Sequence, residues 1–318
     1  MILASNIGIV VDPIPAWPGE FASFGTGEVF VRSAPALPDA EPALFVHGLG
    51  GSSTNWTDLM DELRQPAADG QPGPALACEA LDLPGFGFSP VPADGDYSID
   101  GHAASVTGLI EKRGNWPVHL ISNSLGGAIC TRVAARRPDL VRTLTLISPA
   151  LPDLRPRLVP LRVTLLSSPA LGPWLATKSR RLSAAARSEL LLGDVYFDPH
   201  SMHPQRRTEE IAELSRRDGL EYASNVLILS ARALVGEYLR RGSRSLWRDA
   251  ARVQAPTLII HGSHDKLVNP QLAVRAARVF RRSRVVVLPR TGHVAMMERP
   301  GWTAREIRSL LASPPPGP

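Results

Sequence analysis

Cysteine and lysine are scarce in this sequence. Its 318 residues contain two cysteines, Cys78 and Cys130, which stand far apart and form neither a CxxC pair nor a cysteine–histidine cluster. A disulfide framework and a zinc site are therefore not expected, and both cysteines are predicted to be buried thiols. Only three of the 35 basic residues are lysines, so the positive charge is carried almost entirely by arginine.

Long apolar runs are also missing. No stretch approaches the roughly 18 to 20 apolar residues that a membrane-spanning helix requires. The opening MILASNIGIVV is apolar, but it has no basic segment and no small-residue cleavage site, so we do not interpret it as a signal peptide. We expect a soluble, cytoplasmic protein without integral membrane association.

Composition and charge indicate a globular protein without a nucleic-acid partner. Apolar residues make up 44% of the chain and charged residues 20%, which is ample for a core. The net charge of +5 arises within residues 151–250, which hold 16 basic and 11 acidic residues, whereas the remainder holds 19 of each. Acidic residues are interleaved with the basic ones and no nucleic-acid motif is present, so we expect a solvated, mildly basic face.

The order of strand-like and helix-like segments predicts an α/β fold. Short strand patterns (FASF, EVFVRSA, ALFVHG, ALACEALDL, VHLIS, TLTLIS, PTLIIHG and SRVVVL) alternate, after the first hairpin, with helical patterns such as IDGHAASVTGLIEKRG. This alternation is typical of a mostly parallel central sheet with helices on both faces. We predict a core in two parts, residues 1–150 and 246–312, a helical cap inserted at 151–245 and a disordered tail at 313–318.

The predicted strands end in residues that carry chemistry. Ser124 follows VHLI in the stretch LISNSLGGA. This stretch matches the GxSxG motif of a strand-to-helix nucleophile elbow, except that Ser122 replaces the first glycine. Asp265 follows PTLIIHG, and His293 follows RVVVLP. Because ligands bind at the carboxyl ends of the strands of an open parallel sheet, we expect the three side chains to meet there. A serine hydroxyl is a weak nucleophile, and it needs an imidazole to take its proton and a carboxylate to orient that imidazole.

At these residues the chain resembles the α/β-hydrolase family, over about residues 20 to 312. The motifs in order are HGLGGSS, DLPGFGFS, SNSLGG, GSHD and TGHVAMMERP. The resemblance implies that Ser124 is the nucleophile, His293 the base and Asp265 the orienting acid. It also implies an oxyanion hole made by the backbone N–H groups of Leu49 and Leu125. No metal, nucleotide or flavin motif is present, so no cofactor is expected.

Three further residues are candidates for contacts around a substrate. His47 is expected to support the oxyanion loop by hydrogen bonding, and Asn123 is either a structural residue of the elbow or a substrate contact. Trp174 is either a core residue or part of a pocket wall. In LVPLRVTLLSSPALGPWL the apolar residues recur near helical spacing, so the cap either roofs a pocket or packs on the core; these residues are Leu158, Leu161, Leu165, Trp174 and Leu175.

The leading functional hypothesis is a serine hydrolase that cleaves small apolar esters of hydrophobic acids. The runner-up is hydrolysis of a carbon–carbon bond in a dienoic ring-cleavage product, because SNSLGG is similar to the NSMGG of those enzymes. HGLGGSS departs from their HGxGPG, and no tryptophan follows His293. A hypothesis of another class is a non-catalytic ligand-binding receptor on the same fold. The sequence leaves the natural substrate and the oligomeric state open.

Overall fold

A computed structural model describes residues 14–25, 27–66, 73–115, 117–153, 158–242 and 245–312. The expectations for the apolar opening segment and for the tail at 313–318 lie outside these ranges. Among the described residues, no helix has the length and apolar character needed to cross a bilayer.

One sheet of eight strands runs through the molecule, in the order β1-β2-β4-β3-β5-β6-β7-β8. The strands are Gly19–Phe24 (β1), Gly27–Ser33 (β2), Glu41–Val46 (β3), Leu76–Leu81 (β4), Val118–Asn123 (β5), Val141–Ile147 (β6), Thr257–Gly262 (β7) and Ser283–Leu288 (β8). β1 and β2 form the predicted antiparallel hairpin, and β2 also pairs antiparallel with β4. All pairs among β3 to β8 are parallel. This confirms the predicted α/β class with a mostly parallel sheet.

Helices cover both faces of the sheet, because its central strands are apolar on both sides. In β5, Leu120 packs into the core on one face and Ile121 into the core on the other. The helices of the first and last parts are Thr57–Arg64 (α1), Ile99–Arg113 (α2), Leu125–Arg136 (α3), Leu246–Ala250 (α9), Leu272–Val279 (α10), Ala295–Glu298 (α11) and Pro300–Leu311 (α12).

Between β6 and β7 the described residues form helices and no strand. Five of these helices fall within residues 151–245, which we call the cap: Leu158–Ser167 (α4), Leu171–Ser179 (α5), Ala184–Val195 (α6), Pro204–Asp218 (α7) and Ala223–Leu239 (α8). The stretch LVPLRVTLLSSPALGPWL thus forms two helices, which pack against each other and against α8. Helix α8 is apolar over most of its length, as expected for a helix buried between other elements.

A buried ionic cluster joins the cap to the core. Arg132 of α3 is 1% exposed and bonds to Glu237 of α8, to Asp249 of α9 at 2.5 Å and to Asp100 of α2 at 2.5 Å. The guanidinium offers five N–H donors in a rigid plane, and these acids satisfy donors on Nε, Nη1 and Nη2. The cluster fixes the far end of α8 against the helix that follows Ser124.

Candidate active site

The backbone turns sharply at Ser124, between the last residue of β5 and the first residue of α3. Ser124 has φ 53° and ψ −115°, a conformation that residues with a β-carbon rarely adopt. Its carbonyl accepts hydrogen bonds from the N–H groups of Gly127 and Ala150, at 2.9 Å each, which hold this conformation. The turn leaves the side chain of Ser124 9% exposed at the carboxyl edge of the sheet.

Small residues around Ser124 are required by close backbone contacts. A β-carbon added at Gly126 would lie 2.6 Å from the carbonyl oxygen of His47, and one at Gly127 would lie 2.8 Å from Cβ of Pro149. Ser122, which replaces the usual glycine of the elbow, is fully buried and donates its hydroxyl to the carbonyl of Thr145 at 3.2 Å. A serine therefore fits at this position because its hydroxyl has a partner on the neighbouring strand.

His293 and Asp265 form a buried pair on the loops that follow β8 and β7. Nδ1 of His293 lies 2.9 Å from Oδ2 of Asp265, and both side chains are at most 4% exposed. Oδ1 of Asp265 accepts the N–H groups of Leu267 and Val268, each at 2.9 Å. Burial raises the pKa of Asp265, but the His293 ring and these N–H donors outweigh burial and hold that pKa below its ordinary value. The carboxylate is therefore ionised and can accept the Nδ1–H of His293.

Asn123 connects the Ser124 turn to the His293 loop. Its Nδ2 donates to the carbonyl oxygens of Ile147 and His293, at 3.1 Å each. The structure thus brings the loops of Ser124, Asp265 and His293 to one edge of the sheet. Within the described part of the chain, Oγ of Ser124 makes no hydrogen bond of its own.

Two backbone N–H groups close to the Ser124 turn have no acceptor among the described residues: that of Leu125, which follows Ser124, and that of Leu49, which follows Gly48. Neither Leu49 nor Leu125 donates its N–H to any described residue. Leu125 is the first residue of α3, so its N–H also lies at the positive end of the helix dipole. A developing oxyanion on a carbonyl group next to Ser124 is the kind of charge that such donors stabilise.

His47 holds the loop that carries Leu49. Its Nδ1–H donates to the carbonyl of Gly48 at 2.7 Å, and its Nε2 accepts the N–H of Leu83 at 3.0 Å. Burial lowers the pKa of His47, so the ring is neutral. Both of its nitrogens make hydrogen bonds to backbone groups. This geometry fits the expected supporting role.

The cap contacts these loops through three residues that the sequence did not single out. Nη1 of Arg217 donates to the carbonyl of Gly50 at 2.8 Å, and the carbonyl of Val195 accepts the N–H of His293 at 2.7 Å. A β-carbon added at Gly50 would lie 3.6 Å from Cδ1 of Leu227 on α8. The apolar run of α8 predicts burial, but no pattern in the sequence indicates which of its residues faces the site.

Trp174 is placed differently from these residues. It lies on α5 with 58% of its surface exposed, and the Lys178 ammonium is 5.2 Å from the centre of its ring. Leu161 and Leu165 of α4 are likewise 51% and 39% exposed. Their large exposed fractions set these side chains apart from Leu227, which lies beside Gly50 at the loop of Leu49.

The arrangement combines a hydroxyl, an imidazole–carboxylate pair and two free N–H donors. Such a set can attack a carbonyl group, move one proton and stabilise the resulting negative charge. In the ranges that the structure describes, no three histidine, cysteine, aspartate or glutamate side chains converge as a metal site would require.

Comparison with known proteins gives a family match. The family model for the alpha/beta hydrolase fold matches residues 42–300, which include all five motifs described above.

Similar proteins include hydrolases of more than one kind. Lipase 3 of Moraxella sp. (strain TA144) is 25% identical over 297 residues, covering 91% of this chain and 82% of that protein. The 2-hydroxymuconate semialdehyde hydrolase of Pseudomonas putida is 25% identical over 278 residues, covering 85% of this chain and 87% of that protein. Among solved structures, a thermophilic esterase from Thermogutta terrifontis aligns with a TM-score of 0.68 at 22% identity, over 92% of this chain and 98% of that one.

Proposed function

Because the chain belongs to the α/β-hydrolase fold family, we propose that it is a serine hydrolase that cleaves esters of hydrophobic carboxylic acids. The observation that carries the proposal is Ser124 in a strained turn, with two acceptor-free N–H groups on the adjoining residue and the neighbouring loop, on the edge that also holds the His293–Asp265 pair. The likeness to Lipase 3 supports an ester as the substrate.

In the first half of the proposed reaction, Oγ of Ser124 attacks the ester carbonyl carbon while Nε2 of His293 takes the hydroxyl proton. The carbonyl oxygen becomes an oxyanion that accepts the N–H groups of Leu49 and Leu125. Asp265 stabilises the imidazolium that forms. Collapse of this intermediate breaks the carbon–oxygen ester bond, and His293 returns the proton to the leaving alcohol.

In the second half, a water molecule attacks the acyl–Ser124 ester and His293 takes one of its protons. The tetrahedral intermediate uses the same two N–H donors. Its collapse releases the carboxylic acid and restores the hydroxyl of Ser124, with the proton returned from His293. Each oxyanion donor is expected to contribute about 10²- to 10³-fold in rate, since the charge exists only near the transition state.

The apolar character of the cap supports a hydrophobic acyl group. Leu227 of α8 faces Gly50, and Val226 beside it would lie 2.9 Å from a β-carbon added at Gly85 of the DLPGFGFS turn. Val226 is 1% exposed, so its contact fixes α8 against the DLPGFGFS turn, whereas the half-buried Leu227 lies next to the loop that holds Leu49. An acyl chain lying along Leu227 would therefore exchange water for apolar contacts.

The test is a panel of p-nitrophenyl esters of increasing chain length, assayed with the wild type, Ser124→Ala and Ser122→Ala. We expect kcat/KM to rise by up to about fourfold per methylene, until further methylenes remain in water. Ser124→Ala should lose this activity. Ser122→Ala, which removes a neighbouring buried hydroxyl that donates to the carbonyl of Thr145, should retain most of it. Equal activity of Ser124→Ala and the wild type would contradict the proposal.

A second candidate is hydrolysis of a carbon–carbon bond in a dienoic ring-cleavage product. The specific observation in its favour is the likeness to 2-hydroxymuconate semialdehyde hydrolase over 85% of this chain. A dienoate assayed beside the ester panel separates the two, because the better substrate shows the higher kcat/KM. Binding of either compound without turnover by the wild type would instead indicate a non-catalytic ligand-binding receptor.

A further inference from the structure

Four large apolar side chains are exposed on the α4–α5 pair. Leu161 and Leu165, four residues apart on α4, are 51% and 39% exposed, and Leu171 and Trp174, three apart on α5, are 46% and 58% exposed. Residues at these spacings share one side of a helix. Both helices pack on α8, so their exposed sides point away from it. We call these four residues the apolar face.

The chain around the apolar face carries charge of one sign only. From Leu154 to Ser188 the sequence has no acidic residue and seven basic ones: Arg155, Arg157, Arg162, Lys178, Arg180, Arg181 and Arg187. Two of these are neutralised, since Arg162 pairs with Asp194 and Arg187 with Asp218. In contrast, Lys178, Arg180 and Arg181 are exposed and pair with no carboxylate of the described residues.

Apolar and cationic groups meet at Trp174. The ammonium of Lys178, one helical turn further along α5, lies 5.2 Å from the centre of the Trp174 ring. Tryptophan is enriched where an apolar phase meets water, because its ring is apolar while its N–H is polar. A helix with tryptophan and leucine on one side and basic residues beside them is typical of segments that lie in the interface of a membrane.

We propose that the apolar face docks the protein onto an anionic phospholipid bilayer. In this arrangement Leu161, Leu165, Leu171 and Trp174 enter the boundary between headgroups and acyl chains, while Lys178, Arg180 and Arg181 lie among the lipid phosphates. The charge complementarity decides the kind of partner, because the nearby acids Asp194 and Asp218 are already paired with Arg162 and Arg187, and three further cations that pair with no carboxylate favour a surface of dense negative charge. The docking is peripheral and does not depend on the reaction at Ser124.

A second copy of this chain is a poorer partner for the same face. Two copies joined through it would bring the unpaired cations of both chains close together, with no acid from residues 154–188 to offset them. Like charges brought together in this way oppose association. An anionic bilayer covers the same apolar area and attracts the cations.

The test is co-sedimentation of the wild-type protein with sucrose-loaded vesicles. One set is made of ether-linked phosphatidylcholine and the other also contains roughly 30 mol% ether-linked phosphatidylglycerol; the ether linkage prevents cleavage by an ester hydrolase. We expect binding to the anionic vesicles only, weakened by added salt because surface charges are screened. Failure to bind the anionic vesicles, or equal binding to both sets, would overturn the proposal.

Matched variants test which surface binds. Each basic residue near an anionic membrane contributes about fivefold in affinity, so Lys178→Glu/Arg181→Glu should lower binding at least roughly 25-fold. Trp174→Ser should lower it about tenfold through lost apolar burial. The controls are Arg281→Glu/Arg305→Glu, which makes the same charge change elsewhere, and Trp302→Ser, which removes a tryptophan that is 57% exposed on α12.

The thermal unfolding midpoint of each variant shows that it is folded, and none of these measurements needs ester turnover. The controls should bind as the wild type does. Equal losses in the controls would show that the α4–α5 surface is not the docking site. A dimer in sedimentation velocity that Trp174→Ser dissociates would assign the apolar face to self-association instead.

Discussion

Arg217, at the end of α7 in the cap, donates a hydrogen bond to the carbonyl of Gly50, beside the residue proposed to donate to the oxyanion. The Nη1–O distance is 2.8 Å, and no carboxylate of the described residues lies within ion-pair distance of this guanidinium. Arg217 is partly buried, and this burial lowers the pKa of its guanidinium. The bond makes the position of the Leu49 N–H depend on the cap.

Arg217→Ala should lower kcat on a short ester by roughly tenfold, since hydrogen bonds to charged groups contribute about 1.5–3 kcal/mol and this one positions an oxyanion donor. KM should change less, because substrate binding does not use the developing charge. Steady-state kinetics measure both constants. Arg232→Ala is the control, since Arg232 also donates to one backbone carbonyl in the cap, that of Ser167. Equal losses in the two variants would contradict this positioning role.

Arg132→Met should destabilise the protein by about 3–5 kcal/mol, because it leaves the buried Asp249 without its counter-charge and leaves the buried Glu237 with only the exposed Arg240. Arg136→Met is the matched control. Arg136 also bonds to Asp100, at 2.9 Å, but is 57% exposed, so its loss should change the free energy of unfolding by less than about 1 kcal/mol. Urea unfolding measures both. Similar values for the two variants would show that the buried cluster contributes no more than a surface pair.

Gly126→Ala should be destabilising toward the upper end of about 1–3 kcal/mol, because its β-carbon would collide with the carbonyl oxygens of Val46 and His47. Gly236→Ala makes the same change within α8, where nothing lies within 4 Å of the added carbon. That variant should be stabilised by about 0.5–1 kcal/mol through the higher helix propensity of alanine. Thermal unfolding compares the two, and a stable Gly126→Ala protein would argue against the tight turn.

Two buried histidines should make stability depend on pH. Burial lowers the pKa of both His102 and His261 to about 4, and neither ring has a hydrogen-bond partner among the described residues. In the unfolded chain their pKa is about 6.5, so as pH falls from about 6.5 to about 4 protons bind the unfolded state first. Stability is therefore full above about pH 6.5 and falls below it.

As the pH falls from about 6.5 to about 4, protonation of each histidine should lower the free energy of unfolding by up to roughly 3 kcal/mol. Urea unfolding at pH 7.5 and pH 5 measures the loss. His102→Leu should reduce the difference between the two pH values, whereas His200→Leu, at an exposed position, should leave it unchanged. An unchanged difference in His102→Leu would contradict the assignment.

Much of the fold was predictable because the strands and their turns are encoded locally. The hairpin of β1 and β2 and the apolar central strands follow from short sequence patterns. Because the central strands are parallel, the loops that carry Ser124, Asp265 and His293 lie at one edge of the sheet. The exact start of a helix is less predictable: α1 begins at Thr57, directly after a 3-10 turn at residues 53–56.

The contacts of the cap could not be predicted in the same way. They depend on how the helices cross one another. The apolar pattern of α8 predicts that the helix is buried, but it does not predict which of its residues lies beside Gly50; in the structure this residue is Leu227. The N–H of His293 donates to the carbonyl of Val195, and a hydrogen bond between two backbone groups is encoded by no side-chain pattern. The exposure of Trp174, a candidate for a pocket wall, was unpredictable for the same reason. The spacing of the apolar residues in α4 and α5 does not indicate which side of each helix faces the solvent.

Ser124 is proposed to be a nucleophile activated by His293, and covalent labelling with a fluorophosphonate detects such a nucleophile at the residue itself. The wild type and Ser122→Ala should each gain one adduct, which peptide mass spectrometry locates at Ser124, and Ser124→Ala should gain none. An adduct on another residue, or a wild type that stays unlabelled while folded, would show that Ser124 is not the activated nucleophile.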